Sequence, residues 1–386
     1  MSYILKHKDK PLIKFDFKSS AVDGLSTEII HIYDTHQKFL PIGIDFTNHV
    51  LLEWLETRTI PKNRKFVHKT LRALGLNVDD TKGIIDISKG LSLNDCYWIV
   101  KEDFQGTFLE NNLYDHTFDT QLAWLAYTGY GEVKHKAFIS SPEFSTNGML
   151  AKAWRRIKNR ESGEIEIVLY KAGSEACANC GKEPYSEFYA YQIAKQMGLD
   201  ATAYTLGKWK GNLNSVCTLF TSKALSFVPI YRIVKSSKWG DVLQYYRELG
   251  DDYYEALLDM IVFDAIICNV DRHFGNFGLM VENETNQIIK TAPIFDNGLS
   301  LFYNDMDDEL NEIEKLSKEK LMKNSGDFIA FVKEVITEKQ KKKVRRLINF
   351  KFEPHYRYKL VNKRRLKKIE AFIQHRVQEI LSLESR

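Results

Sequence analysis

Asn269-Val270-Asp271-Arg272-His273-Phe274-Gly275-Asn276 is followed a short way downstream by Pro293-Ile294-Phe295-Asp296-Asn297-Gly298. An Asp, an Asn five positions on, and a second Asp preceded by an apolar residue and closely followed by Gly fit Mg²⁺-dependent phosphoryl transfer. One carboxylate orients the nucleophile's hydroxyl and accepts its proton. An amide oxygen and the second carboxylate hold the metal against the phosphates. The flanks suit this geometry. The apolar stretch Tyr254–Cys268 predicts a buried helix, and Phe277–Val281 and Gln287–Lys290 predict two strands around a polar turn. Asp and Asn also cap turns, and either residue alone reads that way. The ordered triplet in this setting favours a site at Asp271, Asn276 and Asp296.

These residues resemble the catalytic and metal loops of HipA-type serine/threonine kinases, the bacterial toxin-like branch of the protein-kinase-like fold. That family carries Asn-x-Asp-Arg-His-x-x-Asn and then Pro-x-Phe-Asp-Asn-Gly, matched here by Asn269 to Asn276 and Pro293 to Gly298. Phosphatidylinositol-type lipid kinases share Asp-Arg-His-x-x-Asn but usually continue with Asp-Phe-Gly. The Phe295-Asp296-Asn297-Gly298 variant therefore favours the HipA branch. The resemblance implies an α+β, two-lobed protein-kinase-like fold with a small β-rich N-lobe, a helical C-lobe and an extra N-terminal subdomain. It implies ATP and Mg²⁺, with Asp271 as base, Asn276 and Asp296 on the metal, and Arg272 and His273 bracing the loop. The expected domains are residues 1–132 (accessory), 133–225 (N-lobe) and 226–386 (C-lobe). The likeness covers roughly residues 137–300; the accessory part does not match the family's usual sequence.

The segment before residue 226 supplies parts for holding a nucleotide. Ile165–Lys171 alternates toward an apolar core and ends on Lys171, as a strand presenting a lysine to the α- and β-phosphates would. Pro184-Tyr185-Ser186-Glu187 opens a helix that stops at Gly198, and Glu187 in its first turn is placed to pair with Lys171. Glu187 also complements the helix dipole, worth a few tenths of a kcal/mol. Ser145-Thr146-Asn147-Gly148, leading to Lys152, is a small polar loop whose backbone N–H groups could cradle phosphates. One Gly is a weak signal alone, but HipA-type kinases carry a similar loop, which makes Ser145 or Thr146 a candidate autophosphorylation site. Val216–Thr221 reads as a buried strand with a polar exit; in the kinase-like fold that the resemblance implies, Phe220 and Thr221 would lie at the adenine edge, and a plain core strand is the equal alternative.

The composition is that of an ordinary globular chain: 386 residues, 44% hydrophobic, 27% charged, with a net charge of +4. The start Met1-Ser2-Tyr3-Ile4-Leu5-Lys6 leads into no apolar leader. The longest apolar span, Leu257–Val270, is interrupted by Asp259 and Asp264 and falls short of the ~20 residues of a membrane helix. Five scattered cysteines suggest a reducing cytoplasm, with no membrane association. Cys177 and Cys180 form a lone C-x-x-C, read as two thiols in a surface loop rather than a zinc site.

In the accessory part, Leu51–Glu56 and Val67–Leu76 predict amphipathic helices, and Gly90–Trp98 a compact aromatic segment. At the other end, Lys339–Lys368 holds fourteen Lys or Arg against the single acid Glu353. The run reads first as solvated helix faces, and second as a surface for an RNA-bound or acidic substrate. The leading expectation is a protein kinase acting on a Ser/Thr acceptor, beside a small DNA-binding antitoxin as the family often has. The rivals are a regulatory nucleotide-binding partner of such an antitoxin and a small-molecule or lipid kinase with the same catalytic atoms.

Overall fold

In Ser2–His7 the side chains of Tyr3, Leu5 and His7 are buried, the period-2 pattern of a strand with one covered face. This strand pairs antiparallel with Lys10–Ser20 on one side and Tyr97–Lys101 on the other, and Gly24–Ile32 extends the sheet beyond Lys10–Ser20. Tyr3 sits opposite Phe15, and Leu5 opposite both Ile13 and Ile99. The helix Asn48–Glu56 starts where Thr47 accepts a hydrogen bond from the Val50 N–H at 3.3 Å. It lays Leu51, Trp54 and Leu55 into the core formed with Leu5, Ile13 and Phe15. Each such side chain contributes about 1.5–3 kcal/mol by leaving water.

The structure is a computed structural model that describes residues 2–20, 24–134, 136–159, 162–175, 179–358 and 362–385. The chain divides into two units. One is Met1–Tyr170 with Leu219–Val228 and Met280–Ile289; the other is Lys171–Thr218 with Pro229–Leu279 and Lys290–Arg386. The three strands within residues 2–32 are an addition to the sequence reading, which assigns elements of the accessory part only from Leu51 on. Their alternation is short and broken by Lys8-Asp9-Lys10, which hides the period. The predicted Val67–Leu76 helix ends at Arg72.

In the second unit, Tyr204–Trp209 and Asn212–Thr218 form an antiparallel hairpin with Tyr204 opposite Cys217. The strand thus ends at Thr218, short of the predicted Thr221. The helix Glu183–Met197 ends at Gly198, whose φ of 77° is the left-handed cap expected of Gly. The helix Asp251–Ile267 is buried without a break from Leu257 to Ile267, Asp259 and Asp264 included. It packs against Trp239–Leu249, Phe328–Val335 and the last helix, Lys363–Ser382. Its cap, Cys268, takes φ 50° and delivers the chain into Asn269–Asn276. Gly278–Glu282 and Gln287–Thr291 then pair as the predicted strands. Among the described residues no helix is long and apolar enough to cross a membrane.

Candidate active site

An acid inside an apolar helix must be paired to stay there, because an unpaired buried charge costs several kcal/mol. Asp264 is that acid, and its partner is Arg272; both side chains are 0% exposed. The Arg272 guanidinium grips Asp264 with Nε at 2.8 Å and Nη2 at 3.0 Å. It then reaches outward from both Nη atoms. Nη1 donates to the Asn276 carbonyl at 3.0 Å and the Phe295 carbonyl at 2.6 Å, and Nη2 donates to Asn297 Oδ1 at 2.6 Å. One side chain therefore bolts the Asp271 loop to the Asp296 loop. Burial works against the Arg272 charge, but Asp264 outweighs it and raises the pKa above the ordinary arginine value.

Asn269 completes the frame. Its amide donates to Asp264 Oδ1 at 3.0 Å, and its own oxygen accepts from the Asp271 N–H at 3.2 Å. The Asn276 amide nitrogen donates to the Asp271 carbonyl at 3.1 Å, which fixes the amide and leaves its oxygen as the ligand-type atom. The Asp271 carboxylate accepts from Lys323 at 3.0 Å. His273 Nδ1 accepts from the Gly275 N–H at 3.0 Å, and burial lowers the His273 pKa.

Asp296 adopts φ 55°, a left-handed conformation that costs a non-Gly residue roughly 1–2 kcal/mol. Its N–H donates to the Tyr204 hydroxyl at 3.2 Å, and its carboxylate accepts from Lys171. Lys171 also donates to Glu187 Oε1 at 2.8 Å, and Ser215 donates to the other Glu187 oxygen. Burial disfavours the Lys171 ammonium. Asp296 and Glu187 more than offset it and hold the pKa above the ordinary lysine value. A Cβ on Gly298 would lie 3.6 Å from both Lys171 Nζ and Glu187 Oε1, so a side chain larger than a methyl would run into this ion pair.

The structure thus brings Lys171, Glu187 and Asp296 into direct contact and joins Asp271 and Asn276 in one bonded loop. Glu187 lies in the second turn of its helix, not the first as predicted. Asp264, Asn297, Tyr204, Ser215 and Lys323 are additions. Asp264, as an acid within Ile261–Ile267, and Asn297, inside the Pro293–Gly298 motif, carried a sequence signal; the other three did not. Asn276 and Asp296 offer hard oxygen ligands, the kind that suits Mg²⁺ with a ligand set completed by phosphates and water. Among the described residues no cluster of three or more His, Cys, Asp and Glu could hold a metal by itself.

The other predicted positions fall in the first unit. Ser145 is buried and donates to the Leu91 carbonyl at 2.8 Å; Thr146 donates to the Pro142 carbonyl at 2.6 Å. Arg64 binds the carbonyls of Thr146 and Gly148, and Lys152 donates to the Asn147 carbonyl at 2.6 Å. Here the loop turns its carbonyls onto cations. Gly148 sits at φ 95° with Lys152 Nζ where a Cβ would be. Thr221 donates to the Leu93 carbonyl, and Phe220 meets Phe227 edge-on at 5.7 Å.

Beside this loop, Glu143 Oε1 accepts from the Trp154 N–H at 2.9 Å, and Oε2 is a buried oxygen without a partner among the described residues. Burial raises the carboxyl from 4.5 to about 7, against the pull of Arg64 and Lys152. The folded chain keeps this proton after the unfolded chain has lost it. Stability therefore falls as pH rises from 4.5 to about 7, by at most about 3 kcal/mol. Glu143→Gln is expected to flatten the pH dependence of the urea midpoint across that window and to raise the midpoint at pH 8. An unchanged slope would contradict this account.

The basic run Lys339–Lys368 is largely spent internally. Lys343 pairs with Asp259 at 2.5 Å, Lys351 with Glu370 at 3.2 Å, and Arg345 with Glu338 at 3.2 Å. Lys341 and Arg365 are buried, on the Leu383 carbonyl and on the Asp305 and Phe302 carbonyls. This favours the first reading, packed and solvated helix faces, over a free cationic surface; residues 359–361 lie outside the described residues. Cys180 is disulfide-bonded, a correction to the expectation of two free thiols, and Cys177 lies outside the described residues.

No family model matches the chain. The serine/threonine-protein kinase CtkA of Helicobacter pylori is 28% identical to it over 134 residues, 31% of this chain. The match spans 40% of that relative's length. A crystal structure of the same proinflammatory kinase aligns with 60% of this chain and 92% of its own, at 18% identity and a TM-score of 0.44. HipA of Shewanella oneidensis, in a complex with HipB and operator DNA, aligns with 99% of this chain and 100% of its own. There the identity is 10% and the TM-score 0.53. The chain is a homologue of CtkA by sequence and has the kinase-like fold of HipA.

Proposed function

We propose that the chain is an ATP- and Mg²⁺-dependent serine/threonine protein kinase of HipA type. The observation that carries this reading is Lys171 ion-paired to both Glu187 and Asp296, in a unit where Arg272 ties the Asp296 loop to the Asp271 loop. Asp271 orients the acceptor hydroxyl and takes its proton. Asn276 and Asp296 would hold Mg²⁺, which when bound would supply charge neutralisation at the phosphates. Lys171 meets the phosphates, and Glu187, itself fixed by Ser215, positions Lys171. The Ser145–Lys152 loop and the Phe220–Thr221 segment are assigned to the nucleotide by the family resemblance. Autophosphorylation at Ser145 or Thr146 follows from the same resemblance and requires release of hydroxyls that are now hydrogen-bonded.

Asp296→Asn is expected to weaken Mg²⁺-dependent binding of ADP roughly 10- to 100-fold, because an amide replaces an anionic ligand. Calorimetric titration of ADP with and without Mg²⁺ checks it. Equal Mg²⁺ dependence in variant and wild type would remove Asp296 from the metal site. The HipA of the matched structure is assembled with HipB and operator DNA. A small DNA-binding partner is the corresponding corollary here, and its failure to co-purify when co-expressed would count against it.

A further inference from the structure

Among the described residues, three cations stand around the loops of Asp271 and Asp296, and two are already committed. Lys171 is held by Glu187 and Asp296. Arg272 is fully buried and spent on Asp264, Asn297 and two carbonyls. The third, Lys323, belongs to neither motif. It lies in the turn between Leu321–Met322 and Gly326–Asp327, with Nζ 3.0 Å from Asp271 Oδ1 and its side chain 47% exposed.

The turn is a built one. Met322 is buried and pairs with Gly326, the Ser325 N–H donates to the Met322 carbonyl at 3.2 Å, and Asn324 takes the left-handed φ of 64° that the tight reversal needs. The Lys323 carbonyl accepts from Trp239 Nε1 at 3.1 Å. Trp239 in turn stacks on Phe277 at 5.4 Å and meets Phe274 edge-on at 5.2 Å, and these two residues bracket Gly275-Asn276. One indole thus ties the Lys323 backbone to the loop that carries Asp271.

We propose that Lys323 is a phosphate-contacting residue of the transfer reaction; this rests on the kinase reading above. In that reaction the acceptor hydroxyl gives its proton to the Asp271 carboxylate and its oxygen bonds to the γ-phosphorus. The bond from that phosphorus to its bridging oxygen breaks, and ADP leaves. The attacked phosphoryl must therefore come up against Asp271, within reach of an ammonium 3.0 Å from its Oδ1. Charge in this transition state spreads over three equatorial oxygens, and a compact cation on a flexible stem neutralises it as it forms. Before transfer the same ammonium holds one carboxylate oxygen and leaves the other to the hydroxyl.

Lys323→Ala is expected to lower kcat roughly 10²-fold while leaving Mg²⁺·ADP affinity within about twofold of wild type. It should also lose most of the tightening that aluminium fluoride adds to Mg²⁺·ADP binding, and Lys323→Arg should recover part of both. A kcat equal to wild type would overturn the proposal, leaving a plain surface ion pair. A higher kcat would also overturn it and make Lys323 a latch on the base. A wild-type chain that neither binds Mg²⁺·ADP nor transfers phosphate would instead remove the kinase reading itself.

Discussion

Asp271→Asn is expected to slow phosphate transfer by roughly 10²–10⁴-fold, the usual worth of a positioned general base, with no loss of the folded state. The carboxylate is the only part of Asp271 that the substitution changes. Its backbone duties persist: the N–H still donates to Asn269 Oδ1, and the carbonyl still accepts from the His273 N–H and the Asn276 amide. The substitution breaks the ion pair with Lys323, in which the lysine side chain is 47% and the aspartate side chain 31% exposed. Such a pair contributes about 0–1 kcal/mol. Transfer rates with saturating ATP, set beside thermal unfolding of the same preparations, separate the two effects. A variant that transfers phosphate at the wild-type rate removes Asp271 from the base position.

Asp264→Ala is expected to destabilise the chain by about 3–5 kcal/mol, the cost of leaving a buried charge without its partner. Arg272 has no route to water, being 0% exposed, and the Asn276 and Phe295 carbonyls and the Asn297 amide are fixed by the same guanidinium. A loss of that size is a large share of the roughly 5–15 kcal/mol that holds an ordinary domain together. It should also release the Asp296 loop from the Asp271 loop, so activity falls even where the variant remains folded. The exposed pair Lys62–Asp79 is the control: removing it should shift stability by less than about 1 kcal/mol. Urea titrations that show equal, small shifts for the two pairs would contradict the bolt assigned to Arg272.

Much of the local frame around the motifs is legible in the sequence. The strand that carries Lys171, Ile165–Ala172, the helix stopped by Gly198, and the hairpin after Asn276 follow from local periodicity and turn chemistry. The triplet Asp271, Asn276 and Asp296 is legible because its spacing is local. What holds the triplet is less so. Arg272 sits inside the motif, but its reach to Phe295 and Asn297 depends on tertiary placement. Ser215 and Tyr204 come from a hairpin whose sequence carries only a strand pattern, and Lys323 comes from a two-residue strand pair too short to show any period. The first sheet escapes notice for a related reason: its strands alternate over few residues and are interrupted by charges. For the basic run the first reading, solvated helix faces, is the one the structure favours, but the sequence shows only its cations and not the acids Asp259, Glu255 and Glu370 brought to them by folding.

The most direct test of the central claim is transfer of label from [γ-³²P]ATP to protein by the purified chain, followed by phosphoamino acid analysis. The structure and its likenesses lead to label on phosphoserine or phosphothreonine that requires Mg²⁺ and is lost with Asp271→Asn. A folded wild-type chain that binds no ATP and transfers no label to itself or to a protein extract, with Mg²⁺ present, would contradict it.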